Sequence, residues 1–416
     1  MPSISREQGG VSSMLDLAES LHELGFNVHI GLSGSSSLMY RFLKNTKTTL
    51  PFHKIHTIPP RISKKLYKGE KIKSINQLKY NANSKNRCLL YEIFGRIISY
   101  LAICISSSFT KYNFYNTLKY TDIIFVTALF FKGAKESLMK YSNAKIYFNH
   151  AGSVKSFEDY ILTEEHLPIN INPFLSNYVN FMSQFDKVLF QAPDQAIEFI
   201  NQHSILEKKA IVIKPTCVEN DVIRSKLLKN PYKSSTIIIA NIGTLIPRKA
   251  SHYSIEVFAE IIKYYPNCEL HFVGRASDSI YKNSLDLLVE ELGLKTKVFF
   301  HGHRDDYLRF MAHADIIIQT SKAEGVSRIL RESMLLAKPI VSFGISGTSS
   351  ILSNYQEAIL IEPYNLSEFS KAILSILDNT ELASFLGRNA QIKYFNEHSK
   401  AAYYVSWVKL LSENSI

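Results

Sequence analysis

The stretch "SKAEGVSRILRESMLLAKPIV", Ser321 to Val341, sets Glu324 and Glu332 eight positions apart, with Gly325, Val326 and Ser327 between them. The run "ADIIIQT" before it reads as a strand, "KAEGV" as a turn and "SRILRESMLLA" as a helix with Ser327 as its N-cap. A helix mouth at the carboxyl end of a strand offers unpaired N–H groups and a positive dipole end to an anion. Gly325 lets a ligand approach the backbone closely. Glu324 falls in the turn and Glu332 about one and a half turns beyond Ser327, so one carboxylate reaches forward and the other sideways. A carboxylate accepts hydrogen bonds from two neighbouring hydroxyls, as in a ribose diol or a sugar ring, so one helix end could hold a nucleotide sugar at both ends. Two acids at this interval are equally what a capping acid and a solvated helix acid would give.

The elements that must position these groups alternate along the chain. Met14, Leu15, Leu17, Ala18, Leu21 and Leu24 follow helical spacing, Gly25 marks a stop, and "FNVHIGL" alternates as a strand. Further strands are expected at "DIIFV", "AKIYFN" and "KVLF", and in the second half at "TIIIANIG", "ELHFVG", "KVFF", "ADIIIQT", "KPIVSF" and "AILIE". Amphipathic helices lie between most of them, which is the pattern of α/β parallel sheets with helices on both faces. The reading divides the chain into a first Rossmann-like domain at 1–213 and a polar linker with Pro215 and Pro231 at 214–235. A second domain follows at 236–390, then a helix at 391–416 that packs back on the first domain.

At 416 residues the chain suits two cores, and 46% hydrophobic with 20% charged residues is the balance of a folded globular protein. The four cysteines have no CxxC spacing, which argues against a zinc site or a disulfide framework. The start "MPSISREQGG" lacks the pattern of a signal peptide, and the run "IISYLAICI" is well short of the roughly 20 residues that span a bilayer. A cytoplasmic location follows as the expectation. The net charge of +11 favours an anionic partner. Residues 61–87 carry nine Lys or Arg against Glu70 alone, followed by an apolar and aromatic run to residue 109. That segment suits either docking on an anionic membrane or a solvated basic loop before a buried helix. No nucleic-acid motif accompanies it, so no nucleic-acid partner is expected.

With Glu324, seven residues, Glu332 and the continuation "SMLLAKPIVSFGISGTSSIL" in place, the sequence resembles the retaining GT-B glycosyltransferases of glycosyltransferase family 4, the glycosyl transferases group 1. The likeness extends along nearly the whole chain. "NIGTLIPRKASHYSIEVF" is similar to the family's phosphate signature: Gly243 and Lys249 match it, Thr244 stands where Arg is usual, and Arg248 is a neighbouring cation. "VFFHGHRDDYLRFMAHADIIIQTS" is similar to the segment with the nucleotide-base loop, which places Gly302 and Arg304 there. "QGGVSSMLDLAESLHELGFNVHI" resembles the glycine loop and first helix, with Gly9 and Gly10, and "IYFNHAGS" puts His150 at a strand's carboxyl end, where the family often has a His near the transferring sugar.

The resemblance implies two doubly wound domains facing a central cleft. It implies a nucleotide-diphosphate sugar as donor, UDP- or GDP-linked, with no metal and no further cofactor. The acceptor it suggests is a glycan or lipid-linked glycan of bacterial surface polysaccharide or lipopolysaccharide, met at the cytoplasmic face of the inner membrane. Glu324, His150 and Lys249 take the catalytic roles, and Glu332 takes the ribose. The family's opening strand has no counterpart in "MPSISREQ", so the natural start is expected further upstream. Thr244 and that omission leave open a degenerate partner subunit without turnover, and the shared architecture leaves open a sugar-nucleotide 2-epimerase.

Overall fold

The computed structural model describes residues 18–19, 23, 30–32, 55–57, 123–126, 143, 145–150, 179–202, 204–232 and 236–412. Its contacts group the chain into two units. Unit 1 holds residues 1–151, 171–190 and 199–212, and unit 2 holds 152–170, 191–198 and 213–416. The glycine pair Gly9 and Gly10, the opening segment and the basic stretch 61–109 lie outside the described residues. No described helix is long and apolar enough to cross a membrane.

In unit 1, β1 (Ile30–Leu32) pairs in parallel with β2 (Ile55–Thr57). A second sheet orders β3 (Ile123–Val126), β4 (Lys145–Asn149), β5 (Lys187–Phe190) and β6 (Ala210–Val212) side by side, all parallel. Ile146, Tyr147 and Phe148 of β4 and Val188, Leu189 and Phe190 of β5 are all buried, the near-continuous apolar run expected of a central parallel strand. Asp186, just before β5, accepts the N–H of Ile146 at 2.7 Å and fixes the register of the pair. Helix α1 (Pro193–Gln202) leaves β5, and its first six residues group with unit 2.

The last and longest segment of unit 2 begins with the stretch read as a linker, which carries α2 (Glu219–Ser225) and is not a bare tether. Thr216, Cys217 and Val222 are buried, Lys214 pairs with Glu397 at 2.6 Å, and Tyr394 Oη meets Cys217 Sγ at 3.0 Å and Thr216 Oγ1 at 3.3 Å.

The elements that follow are β7 (Ile237–Ile242), α3 (Ser251–Tyr264), β8 (Cys268–Val273), α4 (Ser279–Glu291), β9 (Val298–Phe300) and α5 (Tyr307–His313). The chain continues through β10 (Ile316–Gln319), α6 (Arg328–Leu335), β11 (Ile340–Phe343), α7 (Ser346–Ser349) and β12 (Ile359–Ile361). It closes with α8 (Leu366–Asp378), α9 (Thr380–Glu397) and α10 (Lys400–Ser412). The expected helix boundary at residue 391 falls inside α9.

The six strands are parallel in the order β12-β11-β10-β7-β8-β9. The period of two divides their side chains between two cores. Ile239, Leu270, Phe272, Ile316, Ile318, Val341 and Phe343 face α3, α4 and α8, whereas Ile238, Ala240, Ile242, Val273, Ile317 and Ile340 face α5 and α6. The strand order reverses between β7 and β10, which are themselves paired through Ile239 and Ala240. In an open sheet of this winding, the crevice at the carboxyl ends of two such strands is where ligands bind.

The turn after β7 is strained at one residue. A 3-10 turn at Pro247–Lys249 ends on Ala250, which takes φ 47° and ψ 45° before α3 begins. A left-handed backbone costs a residue with a Cβ roughly 1–2 kcal/mol, and glycine in the same place gives back up to about 1 kcal/mol in chain entropy. Ala250→Gly is therefore expected to raise the unfolding temperature of unit 2 by a few degrees in differential scanning calorimetry. A lower temperature would show that packing of the fully buried methyl group outweighs the strain.

Candidate active site

The site stands at the reversal point of the unit 2 sheet, on the loop after β7 and the turn after β10. Three contacts lock the two together. The Arg248 carbonyl accepts the N–H of Lys322 at 2.9 Å, the Arg248 guanidinium donates to the Ala323 carbonyl, and Lys249 Nζ donates to Glu324 Oε1. Arg248 Nη1 also lies 3.4 Å from Glu324 Oε2. Glu324 is buried in this grip. Burial pushes its carboxyl up, but the charges of Lys249 and Arg248 more than offset that and hold it at about 2, against an ordinary 4.5. Lys249 is pushed down by burial, with the pull of Glu324 opposing and the charge of Arg248 adding. The two side chains lie at ion-pair distance.

Glycines make the close approaches. Gly243, at φ 152°, brings the β7 loop under Lys249: a Cβ there would lie 3.7 Å from the lysine Cε. Gly274, at the end of β8, would with a Cβ stand 1.9 Å from the Gly243 oxygen. Gly347 in α7 seats against the turn that carries Glu324, since a Cβ there would fall 1.8 Å from the Gly325 oxygen and 2.3 Å from the Glu324 oxygen. The turn is thus backed by α7 and cannot shift toward it.

Ser327 caps α6 as expected, its Oγ accepting the N–H of Leu330 and donating to Gln319 Oε1 at 2.9 Å. Val326 is buried against the apolar layer under α6. Glu332 is fully buried. Its Oε1 accepts from Arg328 Nε at 2.7 Å and from the Tyr307 hydroxyl at 2.8 Å, while Oε2 has no partner. Burial and the Glu332 charge push the Tyr307 phenol well up, so it stays a donor. The sequence reading missed both partners. Arg328 had a signal, its i,i+4 spacing to Glu332; Tyr307, 25 positions away on α5, had none.

The remaining expected site residues are placed as follows. Gly302, at φ 65°, turns the chain after β9, and its N-terminal neighbour His301 donates its backbone N–H to Phe272 O. Arg304 is spent locally in a two-pronged pair with Asp306 at 2.8 and 3.0 Å. His150 follows β4 directly, at the predicted strand end, and belongs to unit 1. It is buried, with Phe190 and Phe199 edge-on at 5.4 and 4.9 Å and its N–H donating to Leu189 O. Arg248, the neighbouring cation to Thr244, is engaged with Ala323 and Glu324.

The stretch that carries the ion pair, the capped helix and the buried carboxylate also matches a known family in sequence. Residues 224–393 fit the model for glycosyl transferases group 1. The poly(ribitol-phosphate) alpha-N-acetylglucosaminyltransferase of Staphylococcus aureus is 24% identical over 176 residues, 42% of this chain and 35% of that protein. The lipopolysaccharide glucosyltransferase WaaG of Escherichia coli is 23% identical over 164 residues, 39% of this chain and 43% of that protein. The match spans less than half of either relative. Anabaena Alr3699/HepE, solved in complex with UDP, superposes with a TM-score of 0.60 at 21% identity, covering 73% of this chain and 81% of that one. Residues 224–393 are accordingly a glycosyl transferases group 1 domain, in a chain with the GT-B fold.

Proposed function

We propose that the chain is a retaining glycosyltransferase that needs no metal. It moves a sugar from a UDP- or GDP-linked donor to a glycan or lipid-linked glycan of bacterial surface polysaccharide or lipopolysaccharide. The observation that carries this reading is the Lys249–Glu324 pair held between the β7 and β10 loops at the mouth of α6. A departing diphosphate needs its growing negative charge met, and fixed charges and dipoles in a water-poor site meet it most effectively. Lys249 and the first N–H groups of α6 would do so, with Glu324 balancing the lysine until the phosphate arrives. Glu324 then faces the sugar as it gains positive character, and the acceptor hydroxyl attacks from the face the phosphate leaves. The open oxygen of Glu332 takes a ribose hydroxyl.

The names of the relatives support the choice of acceptor, and the UDP bound by Alr3699/HepE supports the class of donor. A cytoplasmic site facing the membrane, with contact through residues 61–109, belongs to the same proposal. It rests on the charge pattern of that segment.

One observation favours a partner subunit without turnover: Thr244 supplies no cation and Arg248 is engaged with Ala323 and Glu324. Binding and slow hydrolysis across UDP, GDP, ADP, CMP and dTDP sugars, measured with and without added divalent cation, separates the readings. The transferase should bind one donor saturably and release its sugar in chelator. Binding without release points to the partner subunit, and no binding overturns both.

A further inference from the structure

Buried polar atoms that lack partners are rare in folded proteins, and each asks what satisfies it. Among those of the described residues are Asp194 Oδ1, both amide atoms of Gln195 and Thr348 Oγ1. The first three sit on consecutive residues at the start of α1. Asp194 Oδ2 accepts the hydroxyl of Ser346 at 3.2 Å, which ties the carboxylate to the first residue of α7. Gln195 is fully buried, and neither its oxygen nor its nitrogen is used.

The other side of that contact fixes the location. Gly347, the residue after Ser346, is the one pressed against the carbonyls of Glu324 and Gly325. The Asp194 carboxylate is therefore held one residue away from the segment that backs the Glu324 turn. We infer that Asp194 and Gln195 form a sugar subsite beside the Glu324–Gly325 turn, recognising ring hydroxyls of the substrate.

The chemistry selects the ligand class. Asp194 offers an open acceptor, and Gln195 offers an acceptor and two donors. A phosphate would meet the Asp194 charge, and an apolar group would leave all three atoms unsatisfied. Neighbouring hydroxyls on a sugar ring donate and accept in turn, and so satisfy both residues. The sugar is either the one carried by the donor or the terminal ring of the acceptor. The inference rests on the transferase reading and extends it to residues that the opening motif does not contain.

The test uses the full chain with Asp194→Asn, Ser346→Ala and Gln195→Leu, the same nucleotide-sugar panel, the matching free nucleotides, and free glucose, galactose and N-acetylglucosamine added to the nucleotide-sugar complex. Free-nucleotide affinity should stay within twofold of the wild type in all three variants. In Asp194→Asn, losing a charged hydrogen bond should weaken one sugar interaction about tenfold to a hundredfold. If that loss falls on the nucleotide sugar, the subsite holds the donor ring. If it falls on the added monosaccharide alone, it holds the acceptor ring.

Gln195→Leu should lose sugar affinity while unfolding at a higher temperature, because it replaces an unpartnered buried amide with a side chain of similar size. It also carries the test if Asp194→Asn does not fold. Variants that fold, bind nucleotide and keep both sugar affinities overturn the subsite and leave the transferase reading standing. A wild type that binds no nucleotide in the panel overturns that reading and the subsite together.

Discussion

Lys249→Met should destabilise unit 2 by about 3–5 kcal/mol, because removing one partner of a buried pair strands the other charge. Glu324 would be left inside the turn with Arg248 Nη1 at 3.4 Å as its remaining cation. The double variant Lys249→Met/Glu324→Gln should recover most of that loss, since it removes both charges at once. Transfer should not recover with it. A group that meets charge in the transition state is worth on the order of a hundredfold to a thousandfold in rate, and the double variant has lost that group. Calorimetry and sugar release on the same three proteins check both halves. Full turnover in a folded Lys249→Met protein would reduce the pair to a structural role.

The same pair makes a pH prediction with a definite sign. The Glu324 carboxyl titrates near 2 in the folded chain against about 4.5 when free of it. Its stabilisation is thus complete above pH 4.5 and is lost as pH falls toward 2. The lowered carboxyl stabilises the folded chain above that range, and the depressed ammonium of Lys249 partly offsets it. The acid limb of unit 2 unfolding should therefore be shallower in Glu324→Gln than in the wild type. Superimposable limbs would show that the carboxylate is not held ionised by its neighbours.

What the sequence disclosed and what it hid follow from distance along the chain. The strands "TIIIANIG", "ELHFVG" and "ADIIIQT" were legible because each is a buried apolar run between turn residues, and Ser327 because capping is local. β2 and β6 were missed: the three-residue strands that were expected, such as β9 and β12, lie in more apolar runs, whereas β2 is "IHT" and β6 "AIV" follows the polar "LEKK". Glu324 and Lys249 were both visible as candidates, but nothing local says that a side chain 75 positions away is its partner. The role of Gly347 was hidden for the same reason, since only the fold brings it against Gly325. The stretch 214–235 looked like a polar connection because the tyrosine that anchors Thr216 and Cys217 arrives about 180 residues later, from α9.

Glu332 tests whether an unpaired buried atom marks a ligand. Its Oε1 is fully used by Arg328 and Tyr307, so those contacts alone explain why the side chain is oriented but not why a second carboxylate oxygen is buried open. A ribose hydroxyl donating to Oε2 supplies the missing partner. Glu332→Gln should then weaken UDP or its panel equivalent by about tenfold to a hundredfold, the worth of a hydrogen bond to a charged group. Turnover at saturating donor should change little, because this contact is equal in ground and transition states. Tyr307→Phe, which touches Oε1 alone, should cost less. The ribonucleotide should also be preferred over its 2′-deoxy form by the wild type, with the preference shrinking in Glu332→Gln. If the folded variant binds both nucleotides as the wild type does, the open oxygen of Glu332 does not meet the ribose, and the donor is recognised through the N-terminus of α6 and the turn that carries Glu324.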